Sequence, residues 1–153
     1  MNVTCITPNL YVGPAPCDGA DLEELKSLGI TAILSLQDDE DITEGALKRK
    51  RAEAAQANLT FRNVPVLDFD SSDLRDKLQR CVAELDRLLK AGHTVYVHCT
   101  AGAVRSPTVV VAYLHSCLHW PLAKALSHVR KQRNCSPDAE VIRSARSSES
   151  YPQ

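Results

Sequence analysis

The stretch His93-Thr94-Val95-Tyr96-Val97-His98-Cys99-Thr100-Ala101-Gly102-Ala103-Val104-Arg105-Ser106-Pro107 decides both the fold and the chemistry. Residues 93–98 read as a β-strand, rich in β-branched and aromatic side chains, and Pro107 suits the first turn of a helix opening at Ser106. Between them lie a cysteine, five residues and an arginine. Successive N–H groups of a tight loop converge on its centre, the helix N-terminus adds partial positive charge, and Arg105 offers a planar fork of donors. Thr100, Ala101, Gly102, Ala103, Val104 and Arg105 therefore read as a cradle for an oxyanion. The same field favours the ionised, nucleophilic form of a thiol at Cys99. A buried filler is the usual reading of one cysteine, but a filler needs neither Gly102 nor a charged arginine at a helix start.

Upstream, Leu22, Leu25 and Leu28 mark one face of a short helix that Asp21 or its predecessors cap and Gly29 ends. Residues 30–36 form an apolar strand, followed by an acidic turn at 38–41 read as hydrated. Thr43 is the expected cap of a polar helix reaching Asn58, and 60–66 a second strand whose Pro65 suggests an edge or a strand end. Leu74, Leu78, Val82, Leu85 and Leu89 recur at helical spacing, and Gly92 closes that helix. Downstream, Pro121 opens a helix through Arg133 with Leu122, Ala125, Leu126 and Val129 on one face, and Ser136-Pro137-Asp138 starts a last short one. Strands alternating with helices, then helices alone, predict an α/β fold with a central, mostly parallel sheet flanked by helices.

With 153 residues the chain suits a single domain over 1–146 and a flexible tail at 147–153. Eighteen basic residues against 19 acidic ones give a net charge of −1, which argues against nucleic acid or an anionic membrane as partner. The run Lys48-Arg49-Lys50-Arg51 reads as a solvated helix face. No basic start with an apolar run marks a secretory signal, and no apolar stretch approaches the 18 residues of a span, so a cytoplasmic monomer is expected. In that reducing setting five of the six cysteines (Cys5, Cys17, Cys81, Cys117 and Cys135) are bystanders. His93, His115, His119 and His128 form no ligand pattern, so neither metal nor other cofactor is expected.

His-Cys-x5-Arg-Ser resembles the signature of the cysteine-dependent protein tyrosine phosphatase superfamily, and HCTAGAVRS its dual-specificity branch; the resemblance extends from ITPNLYVG at 6–13 to the helices after the loop. It implies a phosphomonoester hydrolase working through a phosphocysteine intermediate, with Cys99 as nucleophile and Arg105 as phosphate ligand. It also implies a general acid on a separate loop about thirty residues earlier. In Val64-Pro65-Val66-Leu67-Asp68-Phe69-Asp70-Ser71-Ser72-Asp73-Leu74 the choice is Asp68, with Asp70 and Asp73 as rivals and Asp73 also a candidate helix cap. Ser106, by resemblance, helps the thiolate depart, compatibly with an N-cap role, and His98 supports the loop through hydrogen bonds.

The branch includes enzymes for phosphoproteins, phosphoinositides and phosphoglucans, and its small members imply a shallow site. DFDSSDLR and CTAG resemble the plant starch phosphatases, and Phe69 offers a ring that could stack on a sugar. Val104 departs from them, standing where they carry glycine. Trp120, the one tryptophan, reads as a packing residue. Phosphoprotein or mixed phosphoester substrates rank first and phosphoglucan second. The rival classes are a silent phosphate-binding module and a cysteine-based arsenate reductase or sulfur transferase.

Overall fold

Side-chain alternation along the two central strands sets the layers. In β5 (Val95–His98), Val95 and Val97 enter one apolar core while Tyr96 enters another; in β3 (Ala32–Ser35), Ala32 and Leu34 join the first and Ile33 the second. A strand buried on both faces loses the polar alternation of an exposed sheet, which is why these runs read as continuously apolar. The computed structural model describes residues 1–148. Among them, β1 (Thr4–Thr7), β2 (Leu10–Gly13), β5, β3 and β4 (Thr60–Asn63) stand in that order in one sheet. Only the β1–β2 pair is antiparallel; β2–β5, β5–β3 and β3–β4 are parallel. The predicted mostly parallel α/β sheet is therefore what forms, with β4 and its nearby Pro65 at an edge.

One face carries α1 (Gly19–Ser27) and α2 (Ala46–Gln56), whose Leu22, Leu25 and Ala54 pack on Ile33 and Tyr96. The other carries α3 (Ser71–Lys90), α4 (Arg105–Ser116), α5 (Leu122–Gln132) and α6 (Ala139–Ser148). Leu74, Leu78, Val82 and Leu85 of α3 are all buried, as their spacing predicted. Helix α4 is buried from Arg105 to Leu114. A helix enclosed all round shows no amphipathic stripe, and each large aliphatic side chain so buried contributes about 1.5–3 kcal/mol.

Several local expectations are corrected. The N-terminal β1–β2 hairpin adds two strands that apolar periodicity does not predict. Thr43 does not cap α2; its carbonyl accepts from Ala46 N–H, and Gly45 in a left-handed conformation occupies the cap. Asp70, not Asp73, caps α3, accepting from Asp73 N–H at 2.9 Å. Ser106 is no cap either, since α4 starts at Arg105 behind Val104. Helix α6 runs through Ser148, past the expected start of the tail at 147; residues 149–153 lie outside the described residues.

The parallel register aligns Gly13, His98 and Ser35 across β2, β5 and β3, with Asn63 beside Ser35. Four loops leave this carboxyl edge together, the place where an open parallel sheet forms its crevice.

Candidate active site

His98 ends β5 fully enclosed, and its Nδ1 lies 2.9 Å from the Cys99 carbonyl. A carbonyl only accepts, so Nδ1 carries the proton. Burial, with smaller contributions from Lys50 and Arg105, lowers the His98 pKa to about 4, which keeps the ring neutral at physiological pH. Cys99 follows, 2% exposed, with its Sγ 3.3 Å from the Ser106 hydroxyl on the first turn of α4.

From residue 100 to 104 every carbonyl is bound from outside the loop. Thr100 O accepts from Ala15 N–H, Ala101 O and Gly102 O from the Arg133 guanidinium, Ala103 O from Ser136 N–H, and Val104 O from Thr108. The N–H groups of the same five residues donate to no acceptor among the described residues. A loop with its carbonyls anchored outward and its amides unpaired is an anion nest. Gly102 takes φ +70, and a Cβ there would stand 2.5 Å from the Gly13 carbonyl carbon and 2.7 Å from Arg133 Nη2. Glycine is required at 102 for conformation and for space alike. Val104 has a negative φ of −127, so the backbone there does not demand glycine; its side chain is 40% exposed beside the site.

Arg105 is 3% exposed. Its Nη1 donates to Asp41 Oδ2 at 2.8 Å and to Val66 O at 2.9 Å, and its Nη2 to Asp41 Oδ1 at 2.9 Å. Nη2 also lies 3.3 Å from Asp68 Oδ2, while the buried Nε finds no partner among the described residues. The acidic turn is thus not simply hydrated: Asp41, read there as a solvent-facing residue, has a side chain only 6% exposed.

The three acid candidates separate clearly. Asp68 stands 36% exposed at the mouth of the site beside Arg105. Asp70 caps α3, and Asp73 accepts from Leu67 N–H and pairs with Lys77 at 2.9 Å. Burial opposes the Asp73 charge, but the bonds from Leu67 and Lys77 outweigh it and hold its pKa below the ordinary carboxylate value. Phe69 is fully exposed with φ +56, an outlier for an aromatic residue. It lines a cavity of about 220 Å³ with Asp68, Ser71, Val104, Arg105 and Asp138.

Sequence reasoning missed Asp41, Arg133 and Ser136, whose roles rest on contacts far apart in the chain. All six cysteines are free thiols, and burial pushes Cys81 up to about 12. Trp120 packs as expected, edge-on to His128. The basic run is only partly a solvated face, since Lys50 reaches Pro16 O and Arg51 stacks over Phe61. Among the described residues no helix is long and apolar enough to cross a membrane, and no group of three or more His, Cys, Asp or Glu could hold a metal ion.

A free thiol at a strand end, set against an amide nest and a buried arginine, has the geometry to hold an oxyanion beside a thiol sulfur. The chain belongs to the dual specificity phosphatase catalytic domain family, whose model matches residues 10–149. It is 38% identical over 144 residues to the phosphoglucan phosphatase LSF1, chloroplastic, of Arabidopsis thaliana, covering 93% of this chain and 24% of that protein. It is 35% identical over 134 residues to human dual specificity protein phosphatase 9, covering 87% and 32% respectively. The chain thus spans about a third or less of these relatives' lengths. The crystal structure of PTPMT1 shares the fold, with a TM-score of 0.78, 21% identity, and coverage of 95% and 94%.

Proposed function

We propose that this chain hydrolyses phosphomonoesters by the cysteine mechanism. The observation that carries this reading is the unpaired donor set around Cys99: five loop amides and Arg105 Nε, all lacking protein acceptors among the described residues. Arg105 Nε is buried, and a buried donor left unpaired is costly unless a ligand satisfies it, while the loop amides converge toward the same space. In the first step the Cys99 thiolate attacks phosphorus in line, the S–P bond forms as the ester P–O bond breaks, and Asp68 gives its proton to the leaving oxygen. Loop amides 100–104 and Arg105 hold the equatorial oxygens, the electrostatic contribution on which phosphoryl transfer chiefly depends. In the second step Asp68 takes a proton from water, which attacks phosphorus and breaks the S–P bond; Ser106, 3.3 Å away, donates to the departing thiolate. His98 supports the loop by holding the Cys99 carbonyl.

Phosphoprotein substrates of dual specificity remain the first reading. Phosphoglucan is the second, favoured by Phe69, whose strained backbone presents a bare ring beside Asp68 and whose flat face suits a sugar. The similarity to LSF1 points the same way. A cytoplasmic setting, with its reduced thiols, suits a cysteine nucleophile. Turnover of para-nitrophenyl phosphate that vanishes in Cys99→Ser and persists with chelator is the expected result; turnover surviving that substitution overturns the mechanism. Phosphate release from amylopectin, set against a phosphopeptide panel, decides between the two substrates.

A further inference from the structure

Resting on the phosphoprotein reading, we propose that the outer face of α5 is a docking surface for an acidic segment of the substrate protein. Charge is unevenly spread along this chain: beyond Asp86 the only carboxylates are those of Asp138, Glu140 and Glu149. The near-neutral total therefore hides a basic region, and α5 lies inside it. Lys124, Arg130 and Lys131 are exposed on this helix, which contains no acid. Helix α4 and strand β1, the elements packed on α5, contain none either. Elsewhere surface cations find carboxylates within their own helices, as Lys26 does with Glu23 on α1, and Lys77 with Asp73 and Lys90 with Asp86 on α3. Arg130 and Lys131 make no ion pair or hydrogen bond among the described residues, and Lys124 lies over the Trp120 ring, 4.6 Å from its centre. Cations gathered with no carboxylate among them repel one another and complement a negative partner.

Positions three and four apart are neighbours on a helix, so the three cations surround Ser127, whose exposed hydroxyl has no partner among the described residues. Ser127 lines an open groove of about 420 Å³ with Ala123, Leu126, Arg130 and Lys131. The one large apolar side chain there, Leu126, is only 7% exposed. A membrane-surface helix needs aromatic or aliphatic anchors on its outer face, and this one offers alanine and serine instead. A peptide rich in Glu or Asp matches the groove, bringing carboxylates to the cations and an acceptor to the Ser127 hydroxyl. The surface also stands close to the chemistry. Arg133, three residues after Arg130, holds Ala101 O and Gly102 O, and Ser136 N–H holds Ala103 O. The end of α5 is thus built against the outer wall of the phosphate loop, and a protein seated in the nest has a basic helix beside it for an acidic flank. A neutral glucan chain gains nothing from that charge.

The test compares two phosphopeptides with one phosphotyrosine core, flanked by Glu in one and by Gln in the other. The proteins are wild type, Arg130→Glu/Lys131→Glu, and Lys48→Glu/Arg49→Glu, which places the same change of charge on exposed positions of α2. Wild type should show a KM ~10-fold lower for the Glu peptide at low salt, the scale of a few exposed charge pairs, and the advantage should shrink as salt screens it. Arg130→Glu/Lys131→Glu should abolish the advantage while turning over para-nitrophenyl phosphate as wild type does, and the α2 variant should keep it. Equal KM values in wild type overturn the proposal; so does an equal loss in the α2 variant, which would assign the preference to the field of the whole molecule. If the reversal variant does not fold, Arg130→Gln/Lys131→Gln replaces it, and an advantage that survives this neutralisation overturns the proposal. Binding to phosphatidylserine vesicles that depends on Arg130 and Lys131 would make the face a membrane contact and overturn it as well. Fluorescence anisotropy of a labelled, unphosphorylated Glu-rich peptide separates this proposal from the reading it rests on. A wild type that binds this peptide through Arg130 and Lys131 yet hydrolyses nothing overturns the phosphatase reading and sustains the surface. Turnover of para-nitrophenyl phosphate with neither binding nor peptide preference overturns the surface alone.

Discussion

Two loops, one after β3 and one after β4, each bring an aspartate to the same arginine. Asp41 arrives 6% exposed with all its oxygens bonded; Asp68 arrives 36% exposed with one 3.3 Å approach to Nη2. The residue type and the cation are shared, so the difference lies in solvent access and in the donors that surround each carboxylate. A carboxylate saturated with donors holds its charge and serves as a counterion. One at the mouth of a cavity, with an oxygen accepting only from Phe69 N–H, stays open to solvent and to whatever fills that cavity.

The sharpest way to break that contrast is leaving-group dependence. Asp68→Asn should lower kcat on an alkyl phosphate by ~10²–10⁴-fold and barely change it on para-nitrophenyl phosphate, whose phenolate leaves unaided. Equal losses on both substrates would move Asp68 from proton donor to binding group.

Acid titration of stability sharpens it next. His98 has its pKa depressed from 6.5 to about 4, so the unfolded chain binds the proton first. Its contribution, roughly 3 kcal/mol, is present above pH 6.5 and is lost as pH falls toward 4. Asp41, also depressed, contributes above the ordinary carboxylate value near 3.8 and loses that contribution as pH falls through its own lower pKa. Urea unfolding at stepped pH should therefore show two acid steps, with Asp41→Asn shrinking the lower, to which the equally depressed Asp73 also contributes, and His98→Asn removing the upper. A single step unaffected by either substitution would contradict both assignments.

The smallest effect separates the rival acid. Asp70→Ala should cost about 1 kcal/mol of stability, the value of a lost cap, with kcat on an alkyl phosphate essentially unchanged. A collapse of that kcat would transfer the acid role to Asp70.

Legibility in the sequence followed the range of the interactions. Cys99, Arg105 and the loop between them lie within seven consecutive positions, and a strand–loop–helix segment declares its chemistry locally. Helix α3 was readable because four buried residues share one face. Asp41 was not, since its partners Thr100 and Arg105 lie 59 and 64 residues away and a run of acidic residues resembles any solvated turn. Arg133 escaped for the same reason, closing its helix in sequence while holding loop carbonyls 31 and 32 residues back. The β1–β2 hairpin escaped because β1 alternates buried and less buried residues over only four positions, whereas β3 and β5, equally short but buried on both faces, stand out as continuous apolar runs.

That hairpin has a consequence for how the site comes into being. Gly13 presses against Gly102 from behind, and Arg133, besides gripping the phosphate loop, donates to Asn2 O at 2.5 Å and to Thr4 Oγ1 at 3.2 Å. The nest is short in sequence, yet its curvature depends on segments 89 to 131 positions apart meeting around it. Contacts of that span close late, after the entropy of long loops has been overcome. Competence to bind phosphate should then be among the last properties this chain acquires as it folds, and among the first it loses when residues 2–13 detach.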